Sequence, residues 1–111
     1  MPSIIDMKES NGKIYNEQNE VAVIINTGYG AGWSTWNKDY PECLFDPDCV
    51  RSILSGERNH EEIAKEKWAD GYWSGENSDV AWVPVGTKFI IHEYDGWETV
   101  EDLMDFNWIE A

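Results

Sequence analysis

The chain has 111 residues with 22 acidic and 8 basic side chains, giving a formal net charge of −14. This length suits one core, so residues 1–111 are predicted to form a single globular domain, and the aromatic content of 14% argues against disorder. The scarcity of Lys and Arg excludes a phosphate-binding nucleic-acid surface, and no apolar run is long enough for a membrane helix. No signal peptide is recognisable, so we expect a soluble, cytoplasmic protein.

The first part of the chain predicts strands. Residues 1–19 are mixed and polar, and we interpret them as a loosely held arm or as a short strand around Ile14 and Tyr15. The β-branched run at residues 21–25 predicts a strand in the interior of a sheet. Residues 33–36, Trp-Ser-Thr-Trp, are predicted to return as a short strand.

Two short helices are predicted to follow. Asp46 before Pro47 is typical of a helix start, and Gly56 is expected to end that helix. Asn59 is predicted to cap the second helix, which is expected to end at Gly71. Both helices are therefore inserted after the first strands.

The last third of the chain predicts strands again. Residues 80–85 form one strand, in which Pro84 indicates a sheet edge or a strand end. The pair Asp95-Gly96 predicts a hairpin joining residues 87–94 to residues 97–101. Residues 106–109 are expected to form a last strand or a tethered tail. The predicted fold class is α+β, with a small, mostly antiparallel sheet and two inserted helices.

A glycine-rich segment follows the first long strand. Gly28, Gly30 and Gly32 alternate, which differs from the spacing of a dinucleotide-binding loop, and no helix-forming sequence follows them. We therefore interpret the segment as a tight, bulged turn and expect a positive φ angle in at least one of the three glycines.

The same segment carries a resemblance to a family. TGYGAGWSTW at residues 27–36, followed later by FIIHEYDG at residues 89–96, resembles small uncharacterised proteins of tailed bacteriophages and prophages. The two stretches cover about a fifth of the chain. The resemblance implies a phage or prophage origin and a bacterial host cell, and it implies no activity, because the family has no assigned one.

Residues suited to catalysis or metal binding are few. Cys43 and Cys49 lack the spacing of a zinc or redox motif and are interpreted as ordinary reduced thiols, with a disulfide or a metal site as the alternatives. The serines lie in no nucleophile motif, and His60 and His92 are the only histidines in the sequence. We predict no catalytic residues, no cofactor and no metal, and hence a protein that is not an enzyme.

Two groups of residues are candidates for binding. Residues 89–111 contain seven acids and no Lys or Arg, which indicates either a solvated face or a surface that attracts a basic partner. The predicted acidic patch consists of Glu93, Asp95, Glu98, Glu101, Asp102 and Asp105. Aromatic side chains near glycine turns are frequent in interfaces. The predicted aromatic surface consists of Gly28, Tyr29, Gly30, Gly32, Trp33, Trp36, Trp73 and Trp97.

These observations favour a small acidic phage-type protein that binds a basic host protein, for example as an inhibitor occupying a nucleic-acid-binding site. Two alternatives stay open. The chain could self-associate as a phage structural or assembly component, or bind a small molecule beside residues 28–36. Direct binding to nucleic acid or to a membrane is not expected.

Overall fold

The computed structural model describes residues 7–102 and shows an α+β fold in which two helices follow the first strands. The strands are β1 (Lys8–Ser10), β2 (Lys13–Tyr15), β3 (Glu20–Asn26), β4 (Ser78–Pro84), β5 (Phe89–Tyr94) and β6 (Trp97–Asp102). The helices are α1 (Pro47–Ser55) and α2 (His60–Lys67). The strands form two antiparallel sheets, one in the order β1-β2-β3-β4 and the other the β5–β6 hairpin. The predicted strand or tail at residues 106–109 lies outside the described residues.

The four-stranded sheet confirms the main strand predictions. β3 lies between β2 and β4, as its apolar run predicted, and β4 is an edge strand whose last residue is Pro84. The predicted short strand around Ile14 and Tyr15 is β2, and it forms a hairpin with β1 across Asn11 and Gly12, which both have positive φ angles. That conformation is the one a two-residue hairpin turn requires.

The predicted return strand at residues 33–36 is wrong. Residues Ser34–Trp36 form a single 3-10 turn, closed by a hydrogen bond from the Asn37 N–H to the Ser34 carbonyl. Tertiary contacts select the turn, because the Asn37 side chain donates to the distant Tyr72 carbonyl and a distant carboxylate accepts from the Thr35 N–H. Local β propensity is too weak to resist such contacts.

Helix α1 has the predicted termini, whereas α2 differs. The Asp46 carboxylate accepts a hydrogen bond from the Cys49 N–H at 3.1 Å, and Gly56 adopts the left-handed conformation that ends α1. Asn59 precedes α2, but its side chain accepts from the Ser52 hydroxyl and caps no helix N–H. Helix α2 ends at Lys67, before the predicted Gly71.

The core lies between the four-stranded sheet and the two helices. Ala22 and Ile24 of β3 are fully buried there, together with Val50 and Ala64 from the helices. Trp68 and Trp82 are partly buried against this core. The β5–β6 hairpin contributes no residue to the buried cluster and packs through β6 against β3.

Candidate interaction surface

The glycine loop and the hairpin turn are locked together. The Gly30 N–H donates a hydrogen bond to the Asp95 carbonyl at 3.0 Å, and the Asn26 side chain donates to the carbonyls of Gly96 and Gly28 at 2.9 and 2.7 Å. The backbones approach so closely that a methyl group on Gly96 would overlap the Gly30 carbonyl. Two segments that are 65 or more residues apart in sequence therefore form one rigid corner.

The positive φ angle predicted for the glycine loop occurs at Gly30, where φ is 118°. Gly32 is required for a different reason, because the side chains of Thr35, Trp36 and Glu98 fill the space that a side chain there would need. Gly30 therefore supplies a backbone conformation that other residues resist, Gly32 leaves room for neighbouring side chains, and no strand follows them as a bulge would require.

Glu98 was predicted in the acidic surface, and the structure places it in the interior with no exposure at all. Its carboxylate accepts hydrogen bonds from the Asn26 N–H at 2.9 Å, the Thr35 N–H at 3.0 Å and the Thr35 hydroxyl at 2.6 Å. Buried carboxylates need such donors in place of water. Glu98 therefore attaches the hairpin to the end of β3 and is not part of a partner surface.

Trp33 and Trp73 were predicted in the aromatic surface, and both are core residues. Trp33 is fully buried and donates its indole N–H to the Cys43 carbonyl at 2.9 Å. The Trp73 indole donates to the Trp68 carbonyl at 2.7 Å, and its ring centroid lies 4.8 Å from that of Trp33. Both indole N–H groups are hydrogen-bonded inside the protein, as buried tryptophans usually are, so these side chains are unavailable to a ligand.

The outward face of the hairpin carries exposed aromatic side chains. The register places Tyr94 opposite Trp97, with Ile90 further along the same face, and these side chains are 71%, 40% and 45% exposed. Tyr29 of the glycine loop, 64% exposed, packs edge-on against Trp97 with ring centroids 5.3 Å apart. We call the four residues Tyr29, Ile90, Tyr94 and Trp97 the hairpin surface.

The remaining predicted acids occupy different positions around this surface. Asp95 is exposed at the turn, and Glu101 lies on the outward face, 3.6 Å from the His92 imidazole. Asp102 is half-buried on the inward face, opposite Phe89. Asp105 lies outside the described residues.

Glu93 lies on the inward face of the hairpin and has a positioning contact. Its carboxylate accepts from the Gly96 N–H at 2.7 Å and from the Trp36 indole at 3.3 Å. These two hydrogen bonds, the backbone one first, lower the pKa of Glu93 below its usual value. The ionised carboxylate therefore holds the indole of Trp36 beside the hairpin.

Sequence reasoning missed Ile90, Tyr94 and Tyr72 as exposed residues. Strict alternation along β5 predicts that Ile90 and Tyr94 face outward if Ile91 faces inward. The direction of Ile91 depends on tertiary packing, which the sequence alone does not show. Tyr72, 60% exposed, packs against Trp36 with centroids 5.4 Å apart, and no periodic pattern in its loop indicates this.

The thiols of Cys43 and Cys49 and the imidazole of His60 are buried in the interior of the protein. Cys43 and Cys49 are free, buried thiols, and burial, followed by neighbouring acids, raises the pKa of Cys43 to about 12 and that of Cys49 further. Such thiols are poor nucleophiles. His60 is buried beside Trp33, with Nε2 2.9 Å from the Gly75 carbonyl and Nδ1 without a partner. Burial lowers the His60 pKa, although the Gly75 hydrogen bond opposes the shift.

Within residues 7–102, no group of three or more His, Cys, Asp or Glu side chains could hold a metal ion. The same residues include no helix with the length and apolar composition needed to span a membrane. When the chain is compared with protein-family models, with curated proteins and with solved structures, none of them matches.

Proposed function

We propose that this chain is a binding protein that recognises a basic protein through its hairpin surface. The observation that carries the proposal is the outward face of β5–β6, where the exposed Tyr94 and Trp97 lie opposite each other and the exposed Ile90 lies further along, beyond the His92–Thr99 pair. Aromatic side chains that are exposed and already ordered are the usual centre of a protein interface, because they bury a large area with few torsions to fix.

Charge complementarity supports a basic partner. Asp95 and Glu101 flank the hairpin surface, and residues 89–111 contain no Lys or Arg to neutralise them. A net charge of −14 attracts a basic protein over about 8 Å at physiological salt and accelerates its approach. The aromatic side chains then slow dissociation by burying apolar area, and this contribution is little affected by salt.

The hairpin that carries this surface is anchored before binding. The Gly30–Asp95 hydrogen bond, the Asn26 side chain and the Glu98 carboxylate attach its turn end to the glycine loop and to the end of β3. A surface that is ordered in advance loses less conformational entropy on binding. We extend the proposal in two steps: the phage resemblance implies a bacterial host cell, and the acidic charge suits a host protein whose basic nucleic-acid-binding surface the hairpin occupies.

Self-association through the same exposed side chains is the second candidate, because Ile90, Tyr94 and Trp97 would pack equally well against a second copy. Mutual repulsion between two chains of net charge −14 opposes it. Sedimentation at low and high salt separates the candidates: a monomer at both salts supports the basic partner. An oligomer that forms with rising salt and is lost in Tyr94→Lys supports assembly.

The binding test is a comparative capture from bacterial lysate with three forms of the chain. The first is the wild type, the second is Asp95→Asn with Glu101→Gln, and the third is a control, Glu17→Gln with Glu57→Gln, which changes the net charge equally at exposed sites on other parts of the chain. Asn suits position 95, where φ is 50°.

We expect the wild type and the control to capture the same basic protein, less of it at high salt, and the hairpin variant to capture little. Equal capture by all three forms, or capture insensitive to salt, would contradict the proposal. Tyr94→Ala provides a further check, since it should weaken capture at every salt concentration without changing the slope of the salt dependence.

A further inference from the structure

A second pair of exposed aromatic rings lines a groove on the other side of the hairpin. Trp36 and Tyr72 are 44% and 60% exposed, and their rings are inclined at 53°. The groove has a volume of about 480 Å³, and its other walls include Asp39, Asp70 and Lys38. It is separate from the hairpin surface, because Trp36 contacts Glu93 on the inward face of β5.

Each of the two rings is positioned by a polar side chain. The Asn37 side chain, 4% exposed, accepts a hydrogen bond from the Tyr72 N–H at 2.6 Å and donates to the Tyr72 carbonyl at 2.9 Å. The Glu93 carboxylate accepts a hydrogen bond from the Trp36 indole at 3.3 Å. The chain therefore uses two polar side chains to keep a pair of aromatic rings ordered in contact with solvent.

The chemistry of the groove suits a cation. Aromatic faces attract ammonium and guanidinium groups, and Asp39 and Asp70 add negative charge at the same groove. Within residues 7–102 the cation–ring contacts are those of Lys13 with Phe45 and Lys67 with Trp68. Lys38 thus lies in the groove without covering either ring.

We propose that the Trp36–Tyr72 groove binds an arginine side chain of the basic partner. The inference rests on the proposed function, because it assumes that such a partner exists. Arginine is favoured over lysine because its planar guanidinium stacks on aromatic rings, is more weakly hydrated and can bond to a carboxylate with two N–H groups. The groove thereby selects for arginine, while the hairpin surface supplies the larger apolar contact.

The test uses nuclear magnetic resonance of the indole N–H groups, since each tryptophan gives its own signal. The probe is a peptide of alternating glycine and arginine with four arginines, and its matched control has citrulline, which is neutral and of the same shape, in place of arginine. We expect the Trp36 signal to shift with the arginine peptide and to stay in place with the citrulline peptide. The buried Trp33 signal, which should not move, reports that the fold is intact.

Variants sharpen the test through the dissociation constant of the labelled arginine peptide. Tyr72→Leu removes one ring and should weaken binding roughly two- to fivefold, the usual contribution of an exposed cation–ring contact. Lys38→Gln removes a like charge from the groove and should strengthen binding. It is compared with Lys8→Gln in β1, which changes the net charge equally and should strengthen binding less.

The outcomes separate the two proposals. A shift of the Trp97 signal without one of Trp36 would overturn the groove and support the hairpin surface. A shift of Trp36 without one of Trp97 would support the groove and contradict the hairpin surface as an arginine-rich contact. An equal response to the citrulline peptide, or no response of either signal, would overturn the groove as a cation site.

Discussion

The four-stranded sheet with its helices and the β5–β6 hairpin are held in opposite ways. The sheet region is packed by apolar side chains, with Ile24, Val50 and Trp33 fully buried. The hairpin contributes no residue to that buried cluster. It is attached to the end of β3 by hydrogen bonds, chiefly from the Asn26 N–H to the Glu98 carboxylate and from the Asn26 side chain to the Gly96 carbonyl. Apolar packing gives the first region its stability, and polar attachment leaves the outward apolar side chains of the hairpin, Ile90 and Trp97 among them, free for a partner.

The comparison also shows that residue type alone does not assign a role. Trp33 fills the core whereas Trp97 is partly exposed, and Glu98 is buried whereas Glu101, three residues later, faces outward. In each pair the surrounding donors and apolar surfaces decide the outcome. Matched substitutions within each pair therefore test the comparison directly.

The largest effect is expected for tryptophan. Trp33→Ala should lower the free energy of unfolding by about 3–5 kcal/mol, because it opens a large cavity and leaves the Cys43 carbonyl without its donor. Trp97→Ala should cost less than about 1 kcal/mol, because the side chain is partly exposed. Urea unfolding of both variants measures the difference, and equal losses would mean that the hairpin surface is part of the core.

The next effect is expected for glutamate. Glu98→Gln should lower the free energy of unfolding by about 3 kcal/mol, because the amide replaces one acceptor oxygen with a donor facing the groups that now bond to the carboxylate. Amide hydrogen exchange should accelerate in β5 and β6 more than in β3 and β4. Glu101→Gln on the same strand should change stability by about 0.5 kcal/mol or less. Uniform acceleration in all strands would contradict a separately attached hairpin.

The close approach of loop and turn predicts a third difference. Gly96→Ala should cost about 2–4 kcal/mol, because φ is 88° there and the added methyl group would overlap the Gly30 carbonyl. Gly30→Ala should cost only about 1 kcal/mol, since φ is positive but the space is open. Thermal unfolding compares the two, and similar losses would show that backbone strain alone matters.

A smaller effect concerns pH. Because the His60 pKa is lowered in the folded protein, the unfolded chain binds more protons as the pH falls below about 6.5. The contribution of neutral His60 to the free energy of unfolding should therefore be fully present above that pH and decline on acidification. His60→Gln should flatten this part of the urea-unfolding profile, whereas His92→Gln, at an exposed position, leaves His60 in place and should keep the slope. An unchanged profile in His60→Gln would assign the decline to other groups.

Short stretches of the sequence were enough to predict part of this fold. The Asp95-Gly96 pair predicted its hairpin because both residues adopt the positive φ angles that the turn requires, and the apolar run of β3 predicted an interior strand. The return strand at residues 33–36 could not be rejected from sequence, because the donors and acceptors that fold it into a turn lie as far away as Glu98.

The site was harder to predict for the same physical reason. Alternation places Glu98 on the same face as Glu93 and Val100, but it does not say which face meets the sheet. The donors that make burial of Glu98 tolerable come from Asn26 and Thr35, more than 60 residues earlier. Only the assembled corner shows that one predicted surface acid is structural and that Tyr94 is exposed.

The most direct test of the central claim is site-specific photo-crosslinking in bacterial lysate. A benzophenone amino acid replaces Tyr94 on the hairpin surface, and in a control it replaces Glu57 in the exposed connection between α1 and α2. The account predicts a crosslink from position 94 to a basic protein, reduced at high salt, and none to that protein from position 57. Equal crosslinks from both positions, or a crosslink from position 94 only to a second copy of the chain, would contradict it.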